Sequence, residues 1–169
     1  MKFRPVERGR AWRSPVKSRR PAGELDSRLG RISVVRGPLG GGAERWEFVL
    51  DRSEILSVDG MGTPGYAARR QVRGGVDVSL LGVKGSVTGR RTLGPRGRFV
   101  RMQAGETVFV ARTRFPRGRV VDSSGAELAE FTGPDWRFRA PEPRVVAFAA
   151  LIVAADLEVT LTSPLLELF

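Results

Sequence analysis

Two pairs of arginines stand one residue apart, Arg112 with Arg114 and Arg137 with Arg139. In an extended strand, side chains two positions apart point the same way, so each pair sets two guanidinium forks on one face. The neighbours agree with that placement. Phe109, Ala111 and Phe115 fall on the opposite parity to the first pair, and Trp136 and Phe138 on the opposite parity to the second. Two arginine forks at strand spacing can hold one phosphate bidentately, which lysine cannot do. These four residues are the candidate anion-binding, and specifically phospholipid-binding, set. The plainer reading of the same pattern is the wet face of a strand, where alternating arginines need no ligand.

Other chemistry is narrow. The 169 residues include no Cys and no His, which removes disulfides, Cys/His zinc sites and any nucleophile activated by imidazole. Carboxylates for glycoside hydrolysis would come from Asp59, Asp77, Asp122, Asp135 or Glu142, and no spacing singles out a pair. Asp59, Asp77 and Asp122 as a hard-cation cluster lack a loop signature. Gly60-Met61-Gly62-Thr63-Pro64-Gly65 spells G-x-G-x-x-G after a candidate strand. That fingerprint works only where it opens the helix of a βαβ unit. Here Gly74-Gly75 ends any helix after Tyr66 within about two turns, and no acid stands at the required offset of roughly 20 residues, so a wide turn or loop is expected. The expectation is a protein that is not an enzyme, with no catalytic residues, no cofactor and no metal.

Charge points to the partner. Against 18 acidic residues stand 29 basic ones, 26 of them arginine, for a net +11 and an isoelectric point near 11.5. Such a balance invites nucleic acid or an anionic membrane. Residues 1 to 20 hold Lys2, Arg4, Arg8, Arg10, Arg13, Lys17, Arg19 and Arg20 against Glu7 alone, so +7 of the +11 falls there. With Pro5, Pro15 and Pro21 and no apolar run, residues 1–27 read as a basic disordered arm, an electrostatic tether. The arm has no secretory h-region, and its prolines break the amphipathic helix of a transit peptide. Residues 28–169 form a single domain.

That domain must be built mostly from strands. From Leu29 onward, short runs alternate apolar and polar residues between Gly, Pro, Asp and Ser. Ile32 and Val34 share one face, as do Trp46, Phe48 and Leu50, and Val76, Val78 and Leu80. Asp59-Gly60, Gly74-Gly75, Ala104-Gly105 and Ser123-Ser124-Gly125 supply turn residues. The exception is Val145 to Ala155, eleven apolar residues in a row after Pro143, which predict a helix near 143–157. A helix apolar on every side must be enclosed. A membrane span needs roughly 18 to 20 apolar residues, and Asp156 and Glu158 interrupt this run, so no transmembrane span is expected and the enclosure is a sheet wrapped around the helix.

Over the last third, the chain resembles the LURP-one-related proteins and phospholipid scramblases, which share the tubby C-terminal-like fold. Gly118-Arg-Val-Val-Asp-Ser-Ser-Gly-Ala-Glu-Leu-Ala-Glu-Phe131 looks like that family's strand, Asp-x-x-Gly hairpin and strand, followed by a short strand and a hydrophobic helix ending in an acid, here Asp156. Phe48-Val-Leu-Asp-Arg-Ser-Glu-Ile-Leu56 looks like a second copy with the turn glycine missing. The resemblance implies a closed antiparallel β-barrel of about twelve strands around the C-terminal helix. It also implies binding of anionic phospholipid headgroups by basic residues on the barrel exterior, where Arg112-Thr113-Arg114 stands in for the family's Lys-x-Arg. The Cys-rich segment and acidic calcium loop of animal scramblases are missing here, which argues against lipid scrambling. The expected location is cytoplasmic, peripheral at a membrane. Two rivals stand beside this reading. One is single-stranded nucleic acid, suggested by Arg96, Arg98 and Arg101 beside Phe99, which requires the aromatic ring on the same exposed face as the basic groups. The other is a protein-interaction scaffold.

Overall fold

The computed structural model describes residues 1–6, 14–114 and 117–162. Twelve strands follow one another: β1 (Phe3–Pro5), β2 (Arg20–Ser27), β3 (Gly30–Gly40), β4 (Ala43–Leu50), β5 (Ser53–Met61), β6 (Val76–Leu80), β7 (Val83–Arg90), β8 (Phe99–Ala104), β9 (Thr107–Arg114), β10 (Arg117–Val121), β11 (Glu127–Thr132) and β12 (Asp135–Phe138). Each pairs antiparallel with its predecessor in one sheet ordered β1 to β12. Helix α1 (Tyr66–Gly74) lies between β5 and β6, and α2 (Pro143–Ala154) and α3 (Glu158–Leu161) follow β12.

The alternation in the sequence becomes the inside and outside of this sheet. In β4, Glu44, Trp46, Phe48 and Leu50 turn inward while Arg45, Glu47 and Val49 turn outward. The inward residues of the strands join α2 in one core. Every residue from Val145 to Ile152 is buried, and eight consecutive helical positions cover all directions around the axis, so α2 is enclosed on every side. Pro143 begins the helix, where its missing N–H costs nothing. The helix stops at Ala154, earlier than the expected 157, and Asp156 at φ 58° turns the chain into α3. No helix among the described residues is long and apolar enough to cross a membrane.

Among the described residues, no ladder joins β12 back to β1. Beside these edge strands, the Met1 nitrogen donates to the Pro134 carbonyl oxygen at 2.9 Å.

The hairpins use local chemistry. Asp122 Oδ1 accepts from the Ser124 amide (2.8 Å), the Ser124 hydroxyl (2.7 Å) and the Ala126 amide (3.0 Å), and Gly125 takes φ 86°. Those hydrogen bonds, the Ser124 hydroxyl first, hold the Asp122 carboxyl below its ordinary value. The β4–β5 turn has no glycine, and Asp51 (φ 48°) and Arg52 (φ 68°) adopt the left-handed conformation themselves. Gly118 faces Phe131 on the neighbouring strand, and a Cβ at Gly118 would stand 2.1 Å from the ring. The bare backbone there makes room for Phe131 to stack on Trp136 at 4.4 Å.

The expected disordered arm over residues 1–27 is corrected for its described residues, 1–6 and 14–27. Residues 3–5 and 20–27 are strands β1 and β2, so the domain does not begin at residue 28. Between them Val16 is buried, and its amide donates to Glu44 Oε1 at 3.0 Å. Glu44 also accepts from Arg36 Nε (2.7 Å), Arg36 Nη2 (2.9 Å) and Trp46 Nε1 (3.2 Å), while Arg36 Nη2 reaches the Ser14 carbonyl (3.1 Å). Arg36 and Glu44 are each 1% exposed. Such a pair is tolerable only because its hydrogen-bonding capacity is used, and part of that use is the backbone of residues 14–16. Composition marked this stretch as solvated, but buried polar contacts hold it down. Arg8, Arg10 and Arg13 lie outside the described residues.

Candidate anion-binding face

The register brings basic residues into one row. Arg90 on β7 pairs with Phe99 on β8, and the β8–β9 register sets Phe99 level with Arg112. Arg112 stands opposite Arg119 on β10, Arg119 opposite Glu130 on β11, and Glu130 opposite Arg137 on β12. All six point outward, and the four arginines are exposed. Neighbouring strands lie about 4.8 Å apart, so the row spans five such steps across the sheet.

Strands β7 to β10 contain no Asp or Glu. Their outward side carries Lys84, Arg90, Arg101, Arg112, Arg117 and Arg119. Of these, Arg117 alone forms an ion pair among the described residues, reaching across to Glu130 at 3.1 Å. Arg112 and Arg119 therefore face each other with neither charge neutralised, an arrangement that destabilises a strand pair unless an anion joins them. Phe99 is half-buried on the same side, between Arg90 and Arg112.

The four residues singled out from the sequence separate. Arg112 lies at the centre of the unneutralised face. Arg114 ends β9 opposite Arg117, and its side chain is outside the described residues, as is Phe115. Arg137 is exposed over buried Trp136, but Glu130 stands opposite and Asp135 lines the same small cavity of about 140 Å³. Arg139 is bound to Glu127 at 2.8 Å. Phe109 and Ala111 point inward, as parity requires.

Arm residues divide in the same way. Arg4 pairs with Asp26 at 2.7 Å and Arg19 with Glu47 at 2.5 Å. The Arg19 guanidinium is the main reason the Glu47 carboxyl sits below its ordinary value. Lys17 is exposed, and Arg20 begins β2 half-buried. Two of the described arm's cations, Arg4 and Arg19, thus face carboxylates of the sheet rather than standing free.

Arg90 and Arg119 were not singled out, and Arg101 only beside Phe99 for the nucleic-acid rival, although one signal was legible. Between residues 78 and 121 the chain carries ten basic residues and one acid, Glu106, a net +9, whereas residues 21–169 together total only +4. Which of these charges share a face depends on register, and register depends on bulges and loop lengths. Arg98 shows the difference, since it is buried and its guanidinium donates to the carbonyls of Thr92 and Leu93, closing the loop before β8.

The outer face of the preceding strands is mixed. Arg45 sits among Asp59 (3.2 Å), Glu47 (3.4 Å) and Glu54 (3.8 Å), and Arg31 lies beside Glu24 (3.5 Å) and Asp26 (3.9 Å). Asp59 and Asp77 stand opposite each other beside a groove of about 540 Å³, but Asp122 lies in the β10–β11 turn. No group of three metal-ligating side chains is present among the described residues.

Compared with known proteins, the chain matches no family model, no curated protein and no solved structure. The reading of function therefore rests on the row of arginines and on what it can hold. A guanidinium donates two parallel N–H bonds to a phosphate, and two guanidinium groups on adjacent strands converge on one. The face lies open on the sheet exterior, which suits a ligand presented by a large surface.

Proposed function

We propose that this chain is a non-catalytic binding protein that takes anionic phospholipid headgroups on the outer face of β7 to β10. One observation carries the reading: Arg112 and Arg119 stand side by side with no ion pair among the described residues, in strands that contain no carboxylate. An anionic leaflet attracts nearby basic side chains by about 1 kcal/mol each. Several unneutralised arginines on one face then amount to stable, salt-sensitive binding without a lipid-sized pocket.

The enclosed α2 and the Met1–Pro134 contact beside the edge strands support a further reading. On it, the sheet is a barrel of the tubby C-terminal-like kind, and the headgroups meet its exterior. A peripheral position at the cytoplasmic side of a membrane follows from that reading. The test is co-sedimentation with vesicles of phosphatidylglycerol and phosphatidylcholine, wild type against the double variant Arg112→Ala and Arg119→Ala. Undiminished binding by the double variant sinks the assignment of the face.

Single-stranded nucleic acid is the second reading, and Phe99 favours it. Its ring shares the exposed side with Arg90 and Arg112, the arrangement that base stacking beside a phosphate track requires. Tight binding of an oligonucleotide at physiological salt, lost in Phe99→Ala while vesicle binding is kept, would transfer the assignment.

A further inference from the structure

Helix α1 reads Tyr66-Ala-Ala-Arg-Arg-Gln-Val-Arg-Gly74, and its two sides differ in kind. One side is fixed to the body. Ala68 and Val72 are buried, and Val72 lies so close to Gly89 that a Cβ on that glycine would stand 2.9 Å from it. Arg69 Nη1 donates to Asp156 Oδ2 at 3.0 Å, and the Gly65 amide donates to the Ala155 carbonyl at 3.2 Å. These ties run to β7 and to the α2–α3 junction, so α1 is a rigid platform.

The other side carries Tyr66, Arg70 and Arg73, which at i, i+4 and i+7 form a single stripe. Tyr66 is 73% exposed, and both arginines are exposed with no ion pair among the described residues. Nothing in the packing of α1 uses any of the three. A cavity of about 460 Å³ lies beside the tyrosine ring, bordered by Pro64, Ala67 and Val159. Val72 rests on Gly89, the residue before Arg90 in β7.

Tyrosine has an apolar body and a polar tip and favours the boundary between hydrocarbon and headgroups. Arginine beside it meets phosphate while its stem stays in the apolar layer. We propose that α1 is the element that seats the protein in an anionic bilayer, with Tyr66 at headgroup depth and Arg70 and Arg73 on lipid phosphates. Charge complementarity selects the occupant, since the stripe carries two positive charges and no negative one. The proposal rests on the phospholipid reading and adds to it which end of the molecule faces the lipid.

The absence of cysteine makes the test clean, because one introduced thiol is unique. Tyr66→Cys and Leu81→Cys, each labelled with an environment-sensitive fluorophore, report from opposite ends of β6; Leu81 is 41% exposed at the β6–β7 turn. On phosphatidylglycerol vesicles the label at position 66 should shift to the blue and brighten, and the label at position 81 should stay in water. In the unlabelled chain, Arg70→Ala with Arg73→Ala should weaken vesicle partitioning by about thirtyfold, from about 1 kcal/mol for each arginine. A label at position 66 that stays in water while the protein still sediments with vesicles overturns the role of α1 and leaves the phospholipid reading standing. Failure of the unlabelled wild type to sediment overturns both. A shift with single-stranded DNA and none with vesicles moves the stripe to the nucleic-acid reading and ends this one.

Discussion

Arg112 on β9 faces Arg119 on β10 across one strand spacing, and among the described residues no carboxylate lies within ion-pair distance of either. Glu130, on the far side of Arg119, is engaged by Arg117 instead. Like charges directly opposite weaken a strand pair by a few tenths of a kcal/mol to about 1 kcal/mol. A fold with no use for this pair gains by changing it.

Arg112→Glu should therefore separate stability from binding. A carboxylate at position 112 faces Arg119 and converts repulsion to attraction, so the melting temperature should rise by about 1–3 °C for a chain of this length. Vesicle binding should fall about thirtyfold, because one positive charge is removed and one negative charge added near the leaflet. Calorimetry and co-sedimentation on the same preparation check both signs. A fall in both would mean that Arg112 supports the fold rather than a ligand.

The buried pair of Arg36 and Glu44 predicts a strongly non-additive double-mutant cycle. Arg36→Met alone leaves Glu44 charged and nearly inaccessible, which costs about 3–5 kcal/mol. Arg36→Met with Glu44→Leu removes the stranded charge and should recover most of that loss. Urea titrations of the three variants measure the coupling directly.

Removing residues 1–19 should lower the unfolding midpoint as well as the charge. The deletion takes away the Val16 amide and the Ser14 carbonyl that serve the buried pair, and the β1 partner of β2. A truncated chain with unchanged urea stability would contradict the structural role of this segment.

Gly118→Ala should destabilise by about 1–3 kcal/mol, since the new methyl group meets the Phe131 ring from a neighbouring strand. Adding Phe131→Leu should return part of the loss. If the glycine served only chain flexibility, the second substitution would make matters worse.

Glu158, at the start of α3, supplies a pH dependence. Burial, reinforced by the nearby Asp156 charge, pushes its carboxyl up to about 7 from an ordinary 4.5. The folded state therefore holds this proton more tightly than the unfolded chain does. The Glu158 contribution is most favourable below about pH 4.5 and is lost as pH rises through about 7. Glu158→Gln should flatten that part of the profile and melt higher than wild type at pH 8. Melting temperatures between pH 5 and 8 decide it.

Much of the architecture was legible because two periods dominate the chain. Alternation at Trp46, Phe48 and Leu50 fixes the inner face of β4, and the unbroken run from Val145 fixes an enclosed helix. The N-terminal segment misled because what holds it is invisible to periodicity: backbone groups of Ser14 and Val16 reaching two side chains more than twenty positions away. The site was half legible. Parity found Arg112, while Arg119 and Arg90 join it only through strand register, and Arg139 was lost to Glu127 for the same reason. Net charge summed from residue 21 onward concealed the concentration between 78 and 121, because the strands before it are rich in carboxylates.

The enclosure of α2 also imposes an order on synthesis. The segment that the sheet packs against leaves the ribosome after all twelve strands, so for most of translation the sheet has no helix to cover its inner face. Inner faces such as Trp46, Phe48 and Leu56 then wait exposed until Val145–Ile152 arrive, the state in which strand-rich chains associate wrongly. A nascent chain stalled before residue 143 should engage chaperones, and release should come with the helix.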